Sequence, residues 1–337
     1  MHKFAQIHRG VMNQYPAHVR QIIGPLLGVL IMALSPSARA ADPVKLSVFA
    51  AGTLAVPFRA LDEAFEKKYS GVEVQPQFGG SVKMAKQITE LHQDADILAV
   101  ADYSVIPKYL FAGDGKPGLT TWYVGFARNA ITFVYTDKSK YAQELTPENW
   151  YQVLARQGVE IGRSDPDTDP SGYQTVQMLD LASKFYKDPQ LAAKILANAS
   201  PKNLRDTETA LISALQIGQI DYLAIYRSDA LQHHLKFLEL PAEINLSDPT
   251  QAKFYEQGVA HTKNGDLSGK PIVYAITIPS VAHEADWARK YVAMLLGPEG
   301  QQILAANGFG TFTPAYAVNA DGVPPDLHPL VKRWPGS

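Results

Sequence analysis

Apolar and polar positions switch between two periods along this chain. KLSVFAAGT reads as a strand, and LAVPFRALDEAFEKKY as an amphipathic helix with apolar residues three and four apart. VEVQPQFGG is a second extended piece and SVKMAKQITELHQ a second helix. DILAVAD is a short, nearly all-apolar strand of the kind buried on both faces. This βαβαβ order predicts a parallel sheet with helices on both sides. A second block starts at NAITFVYTD and runs through ELTPENWYQVLARQG, where Thr146 reads as the N-cap and Pro147 as the first helical residue. It continues with VEIGRSDP, a helix after Ser171, the segment QLAAKILANAS, TETALISALQIGQ, the strand IDYLAIY and a helix opening at SDALQHHL. GKPIVYAITIP is a long strand, and HEADWARKYVAMLLGPEGQQILAANGF ends the pattern as a helix turned at Gly297 and Pro298.

The expected fold class is therefore α/β, in two lobes. Each lobe is a mixed, mostly parallel sheet flanked by helices, and two crossing segments join them near Trp122–Val134 and Pro271–Pro279. Residues 41–125 plus 275–337 would form lobe 1, and 126–274 lobe 2. Two such units facing each other enclose a cleft that closes by hinge motion.

Residues 1–40 read differently. Lys3, Arg9 and Arg20 precede the thirteen-residue stretch IIGPLLGVLIMAL, and Ala38 and Ala40 occupy the small positions of a cleavage site. The stretch is too short to span a bilayer, so a cleavable secretory signal is expected. Residues 1–40 hold four basic and no acidic residues, which leaves 27 basic against 33 acidic and a formal charge of −6. That balance argues against nucleic acid or an anionic membrane as partner. With no cysteine, disulfides, thiolate metal sites, cysteine nucleophiles and a lipid anchor at cysteine are all excluded. A soluble, exported, unanchored protein is expected in a periplasm.

Three helix mouths carry the candidate chemistry. Ala51-Gly52-Thr53, Gly79-Gly80-Ser81 and Pro170-Ser171-Gly172 each follow an extended run and open a helix. Free backbone N–H groups, a positive dipole end, a hydroxyl and a glycine that admits close approach suit an anion without lysine or arginine. Singly, Thr53 and Ser81 are also ordinary N-caps. Tyr226 ends an apolar strand and can aim its hydroxyl into a cleft, or serve as a half-buried aromatic. Asp165, Asp167 and Asp169 approach calcium-loop spacing, but the required glycine and distal glutamate are missing. No G-x-S-x-G elbow, P-loop, G-x-G-x-x-G or HExxH motif appears, and His233-His234 reads as a solvated helix face.

The segments AAGTLAVPF, FGGSVKMAKQI, DADILAVAD, VGFARNAITFVY, SDPDTDPSGYQ, GQIDYLAIYRSDA, IVYAITIP and GPEGQQILAANGF, in this order and spacing, resemble the substrate-binding component of molybdate/tungstate ATP-binding-cassette transporters. The resemblance implies a two-lobed, type II-like periplasmic binding protein, not an enzyme, that holds one tetrahedral oxyanion in its cleft. It implies hydroxyl donors at Thr53 and Ser81, a backbone N–H at Ser171 and a phenol donor at Tyr226. One branch of the family brings two carboxylates to the metal and makes it six-coordinate. Asp169 matches one of them, but the candidate positions for the other hold Ile225 and Arg227. The departure puts six-coordination in doubt, favours a four-coordinate anion, and leaves Asp169 as a candidate that contacts the ligand, caps the helix or points away.

Molybdate and tungstate carry no proton at neutral pH, so a site of O–H and N–H donors suits them. The expected partners are that oxyanion and a membrane permease, with no cofactor and a monomeric chain. The alternatives are sulfate, phosphonate or a small organic acid as ligand, or Fe(III) bound by tyrosines such as Tyr222 and Tyr226. An exported hydrolase using Asp165, Asp167 or Asp169 with His261 is a further alternative.

Overall fold

The computed structural model describes residues 42–334, except 114, 116, 207 and 264. The signal segment expected over 1–40 lies outside the described residues. The first elements are β1 (Val44–Ala51), α1 (Ala55–Lys68), β2 (Val72–Gly79), α2 (Ser81–Thr89), β3 (Ile97–Val100), α3 (Val105–Leu110) and β4 (Tyr123–Arg128). The middle of the chain contributes β5 (Ile131–Tyr135), α4 (Trp150–Leu154), β6 (Ile161–Ser164), α5 (Pro170–Phe185), α6 (Leu191–Ala197), β7 (Leu204–Arg205), α7 (Ile212–Gln216) and β8 (Tyr222–Tyr226). There follow α8 (Arg227–Gln232), β9 (Lys236–Phe237), α9 (Ala252–Tyr255) and the hairpin β10 (Val259–Thr262) and β11 (Gly265–Ser268). The chain ends with β12 (Val273–Thr277), α10 (Ala285–Leu296), α11 (Pro298–Ala306), β13 (Gly310–Val318) and β14 (Val331–Arg333).

Two sheets carry the two lobes. The seven-stranded sheet has the order β14-β13-β4-β12-β3-β1-β2, and the five-stranded sheet the order β7-β6-β8-β5-β9. β1 pairs in parallel with both β2 and β3, and β6 in parallel with both β7 and β8. Antiparallel strands enter where the chain crosses: β12 lies between β3 and β4, and β5 beside β8. The crossings fall between Arg128 and Ile131 and between Ser268 and Val273. They are tied together, since the N–H of Asn129 donates to the carbonyl of Ile272 at 3.2 Å.

The helices form for the reasons the pattern gives. α1 buries Phe58, Leu61 and Phe65, spaced three and four apart, and α2 buries Ser81, Met84, Ala85 and Ile88. All four residues of β3 are buried. A contiguous apolar cluster joins Phe58 and Phe126 by the first sheet to Tyr274 and to Phe133 and Trp150 by the second. α4 departs from expectation. It starts at Trp150 with Asn149 as N-cap, not at Pro147 after Thr146. The side chain of Asn149 instead turns back to accept the N–H of Thr146 at 2.8 Å, so residues 146–149 form a turn.

Candidate functional site

β1 and β2 end together, with Ala51 beside Gly79 in register, and β3 ends next to them at Val100. In open α/β sheets this carboxyl edge is where ligands sit. A small cavity lies there, lined by Ala51, Gly52, Thr53, Gly79, Gly80, Ser81 and Ala101 from the first lobe and by Asp169, Pro170 and Tyr226 from the second. Lysine and arginine are missing from this lining.

The two first-lobe hydroxyls are held by protein groups and are not spent on capping. Thr53 lies in a turn of 3-10 helix (Gly52–Leu54) ahead of α1, and Ser81 is the first residue of α2, whose N-cap is Gly80. Neither α1 nor α2 has a side-chain cap. The Ser81 Oγ accepts the backbone N–H of Ala101 at 2.9 Å. A hydroxyl that accepts there still has its own hydrogen to give. The Thr53 Oγ1 lies 2.9 Å from the phenol oxygen of Tyr274.

The second lobe presents its groups differently. Asp169 is the N-cap of α5, and its Oδ1 accepts the N–H of Ser171 at 2.8 Å and the hydroxyl of Ser164 at 3.2 Å. The Ser171 N–H is thus engaged within the protein, and its buried Oγ has no hydrogen-bond partner among the described residues. The Tyr226 hydroxyl donates to Gln174 Oε1 at 2.7 Å. Four of the five candidate residues, Thr53, Ser81, Asp169 and Tyr226, therefore line one cavity, while Ser171, buried and next in sequence to the lining residue Pro170, does not.

Approach between the lobes is close. A Cβ on Gly80 would come within 3.3 Å of the Thr168 carbonyl oxygen and 3.8 Å of Asp169 Oδ2. Burial pushes the Asp169 carboxyl up to about 7, against the lowering effect of its bonds from Ser171 and Ser164. A neutral acid at this position donates a hydrogen; an ionised one repels an anion.

A second carboxyl stands near it. Asp229, in the first turn of α8, is 1% exposed, and its Oδ2 has no hydrogen-bond partner among the described residues. Burial, and then the charge of Asp169, raise Asp229 well above the ordinary carboxylate range. Ile225 and Arg227 occupy the positions at which the resemblance calls for a second acid. Ile225 packs into the apolar cluster with Leu211 and Leu223, whereas Tyr222, Ala224 and Tyr226 join the main core, as alternation along β8 requires. Arg227 faces outward and pairs with Glu239 at 3.2 Å. The second buried carboxyl comes from the helix after the strand.

Beside the cavity, Asp102 bridges the lobes. Its Oδ2 accepts the Tyr173 hydroxyl from α5 at 2.6 Å, and its Oδ1 lies 2.9 Å from Lys270 Nζ. Burial alone would raise this carboxyl. The Lys270 charge and the bonds from Tyr173 and Ser104 outweigh it and hold Asp102 below its ordinary value.

Other candidates are engaged elsewhere. Asp167 pairs with Lys263 at 3.1 Å, and Asp165 accepts the Asp167 N–H at 2.9 Å. His261 pairs with Asp266 on the exposed hairpin at 2.7 Å. Tyr222 donates its hydroxyl to the Lys140 carbonyl. Among the described residues no cluster of three or more His, Asp or Glu could hold a metal ion. Asn129, Gln174, Asp229 and Tyr274 surround the site and escape the motif reading. Only their polarity next to strand ends marks them in sequence.

Comparison with known proteins places this architecture. Residues 46–310 match the family model for the bacterial extracellular solute-binding protein. The molybdate/tungstate-binding protein WtpA of Pyrococcus abyssi is 38% identical over 316 residues, which cover 86% of this chain and 90% of that protein. WtpA of Thermococcus kodakarensis is 36% identical, covering 85% and 87%. An uncharacterized solute-binding protein of Petrotoga mobilis is 37% identical, covering 91% and 94%. Among solved structures, the periplasmic molybdate-binding protein of Azotobacter vinelandii shares the fold with a TM-score of 0.57 at 19% identity, over 80% of this chain and 100% of that one. The sulfate-binding protein SubI of Mycobacterium tuberculosis shares it with a TM-score of 0.56 at 13% identity, over 79% and 86%. With its two sheets, its interlobe cavity and the match across most of its length, the chain belongs to the bacterial extracellular solute-binding protein family.

Proposed function

We propose that this protein binds molybdate or tungstate as a four-coordinate oxyanion in the interlobe cavity and delivers it to the membrane permease of an ATP-binding-cassette importer. The observation that carries the reading is the state of Ser81. Its oxygen takes a backbone N–H, so its hydrogen is available to a ligand that only accepts. The hydroxyl of Thr53 lines the same cavity, and Asp169, raised by burial, adds a donor whenever it is protonated. The names of the Pyrococcus and Thermococcus relatives support the choice of anion.

The lobes 41–125 plus 275–337 and 126–274 would close over the anion about the two crossings. The chain acts as a monomer, without cofactor or turnover, after export by the segment 1–40. Tyr226 and the Ser171 N–H reach the ligand by exchanging Gln174 and Asp169 for anion oxygens.

Calorimetric titration of the purified protein with molybdate, tungstate, sulfate and phosphate tests the reading. One site that prefers the two metal oxyanions is expected. Heat with sulfate or phosphate alone, or with none, overturns it.

A further inference from the structure

Three parts of the molecule meet at one buried carboxylate. We propose that the Tyr173 hydroxyl and the Asp102 carboxylate form an interlobe clasp that holds the cleft closed and sets the rate of ligand release without touching the ligand. The inference rests on the cleft being the ligand site, and not on which anion fills it.

Asp102 is 2% exposed and follows β3 in the first lobe. Four donors meet its two oxygens. Oδ1 accepts the backbone N–H and the hydroxyl of Ser104, each at 2.8 Å, and lies 2.9 Å from Lys270 Nζ. Oδ2 accepts the Tyr173 hydroxyl at 2.6 Å. Ser104 belongs to the first lobe, Lys270 to the second crossing, and Tyr173 to α5 of the second lobe.

The groups of the first lobe and the crossing form a unit that stays together when the lobes part. Lys270 also donates to the Ser104 hydroxyl, and its ammonium lies 4.8 Å from the centroid of the Tyr103 ring. The Tyr103 N–H donates to the Val273 carbonyl at 3.1 Å, which ties this corner to the start of β12. Among the described residues, Tyr173 alone reaches Asp102 from the second lobe. Closing brings its phenol onto a carboxylate that is already fixed in place and paired with a cation. A bond from O–H to an ionised carboxylate is about twice as strong as one between neutral groups. Opening exchanges it for a bond to water.

The clasp is joined to the ligand cavity through the chain at both ends. Ala101 lines that cavity and immediately precedes Asp102, and Pro170 lines it one turn before Tyr173 on α5. Asp102 and Tyr173 themselves line a second cavity between the lobes and not the first.

Tyr173→Phe keeps the ring, and Ser104 and Lys270 still hold the carboxylate, so the fold should survive; melting curves check this. In stopped-flow measurements on the full chain, molybdate release should be about tenfold faster, the scale of one bond to a charged group. The association rate should change by less than about twofold. Tungstate release should quicken by the same factor, because the clasp touches neither anion. Unchanged release, slowed association or an altered preference between the two anions overturns the proposal.

A second measurement needs no ligand. The chain has no cysteine, so Lys67→Cys on α1 and Ala193→Cys on α6, both exposed positions, accept one spin label each. Dipolar distances between the labels should show a larger open fraction with Tyr173→Phe than without it. Identical distance distributions overturn the clasp. A protein with Tyr173 intact that takes neither metal oxyanion defeats the proposed function, while the distances still decide the clasp.

Discussion

The carboxylate of Asp169 accepts the backbone N–H of Ser171 at 2.8 Å, closing the N-terminus of α5 from within the protein. An anion entering the cavity competes with that carboxylate for the same positive helix end. Protonation of Asp169 removes the competitor.

The first prediction is therefore a pH dependence. Burial lifts Asp169 from an ordinary 3.8 to about 7. A bound dianion favours the neutral acid further, so affinity for molybdate should be highest below pH 7 and fall as pH rises through it. Asp169→Asn should flatten that dependence and hold high affinity at pH 8. Titrations of both proteins between pH 5.5 and about 8.5 check this. A wild-type affinity that rises with pH contradicts it.

Stability of the ligand-free protein should move in the same direction. Asp62, under α1, is also pushed up to about 7 by burial, against the bond from Tyr291 at 2.6 Å. For a carboxyl with a raised folded pKa, the stability is fully present below the unfolded value and is lost as pH rises through the folded one. Melting temperature should fall between pH 5 and about 8 by several degrees, and Asp62→Asn should reduce the fall. Calorimetric scans across that range measure it.

Ser81→Ala should weaken molybdate binding by about 1–3 kcal/mol, and Thr53→Ala by a similar amount, the cost of one bond to a charged group. Ser81→Ala also strands the Ala101 N–H, so a modest loss of melting temperature accompanies it. Titration and melting curves on the same samples separate the two effects.

Gly80→Ala should act on closure rather than on folding. The added Cβ meets the Thr168 carbonyl at 3.3 Å across the lobes, where backbone cannot yield as a side chain does. Small-angle scattering should show a more open molecule with ligand present, and affinity should drop about tenfold or more, a loss of about 1.4 kcal/mol.

Lys270→Met should destabilise the protein by about 3 kcal/mol at neutral pH, because it leaves the Asp102 charge buried without its partner. Asp102 is held below its ordinary value, so its contribution is present above the unfolded pKa and lost as pH falls. The gap between wild type and variant should therefore narrow in acid, as denaturant unfolding at two pH values will show.

Much of this fold is written locally. β3 reads as a fully buried strand because ILAV is apolar at every position, and the break at Gly297 and Pro298 separates α10 from α11 as the residues require. Thr53 and Ser81 stand out because each follows a strand beside glycine. Thr146 misleads, since a local N-cap signature there loses to the turn built by Asn149. Tyr274, Asn129 and Asp229 are illegible for a different reason. Thr53 and Tyr274 are 221 positions apart, and only the antiparallel insertion of β12 beside β3 brings Tyr274 next to Thr53. The strand and turn positions Ile225 and Arg227 hold no second acid, since alternation turns Ile225 into an apolar cluster, while Asp229 comes from the following helix.

The central claim is that one tetrahedral metal oxyanion sits among these hydroxyls. Anomalous diffraction at the molybdenum edge, from crystals grown with molybdate, tests it most directly. The account predicts one molybdenum peak in the cavity, four oxygens around it, and hydrogen-bond contact from those oxygens to Thr53 Oγ1 and Ser81 Oγ. A peak elsewhere on the protein, or a metal bonded directly to the Asp169 and Asp229 carboxylates, would contradict it.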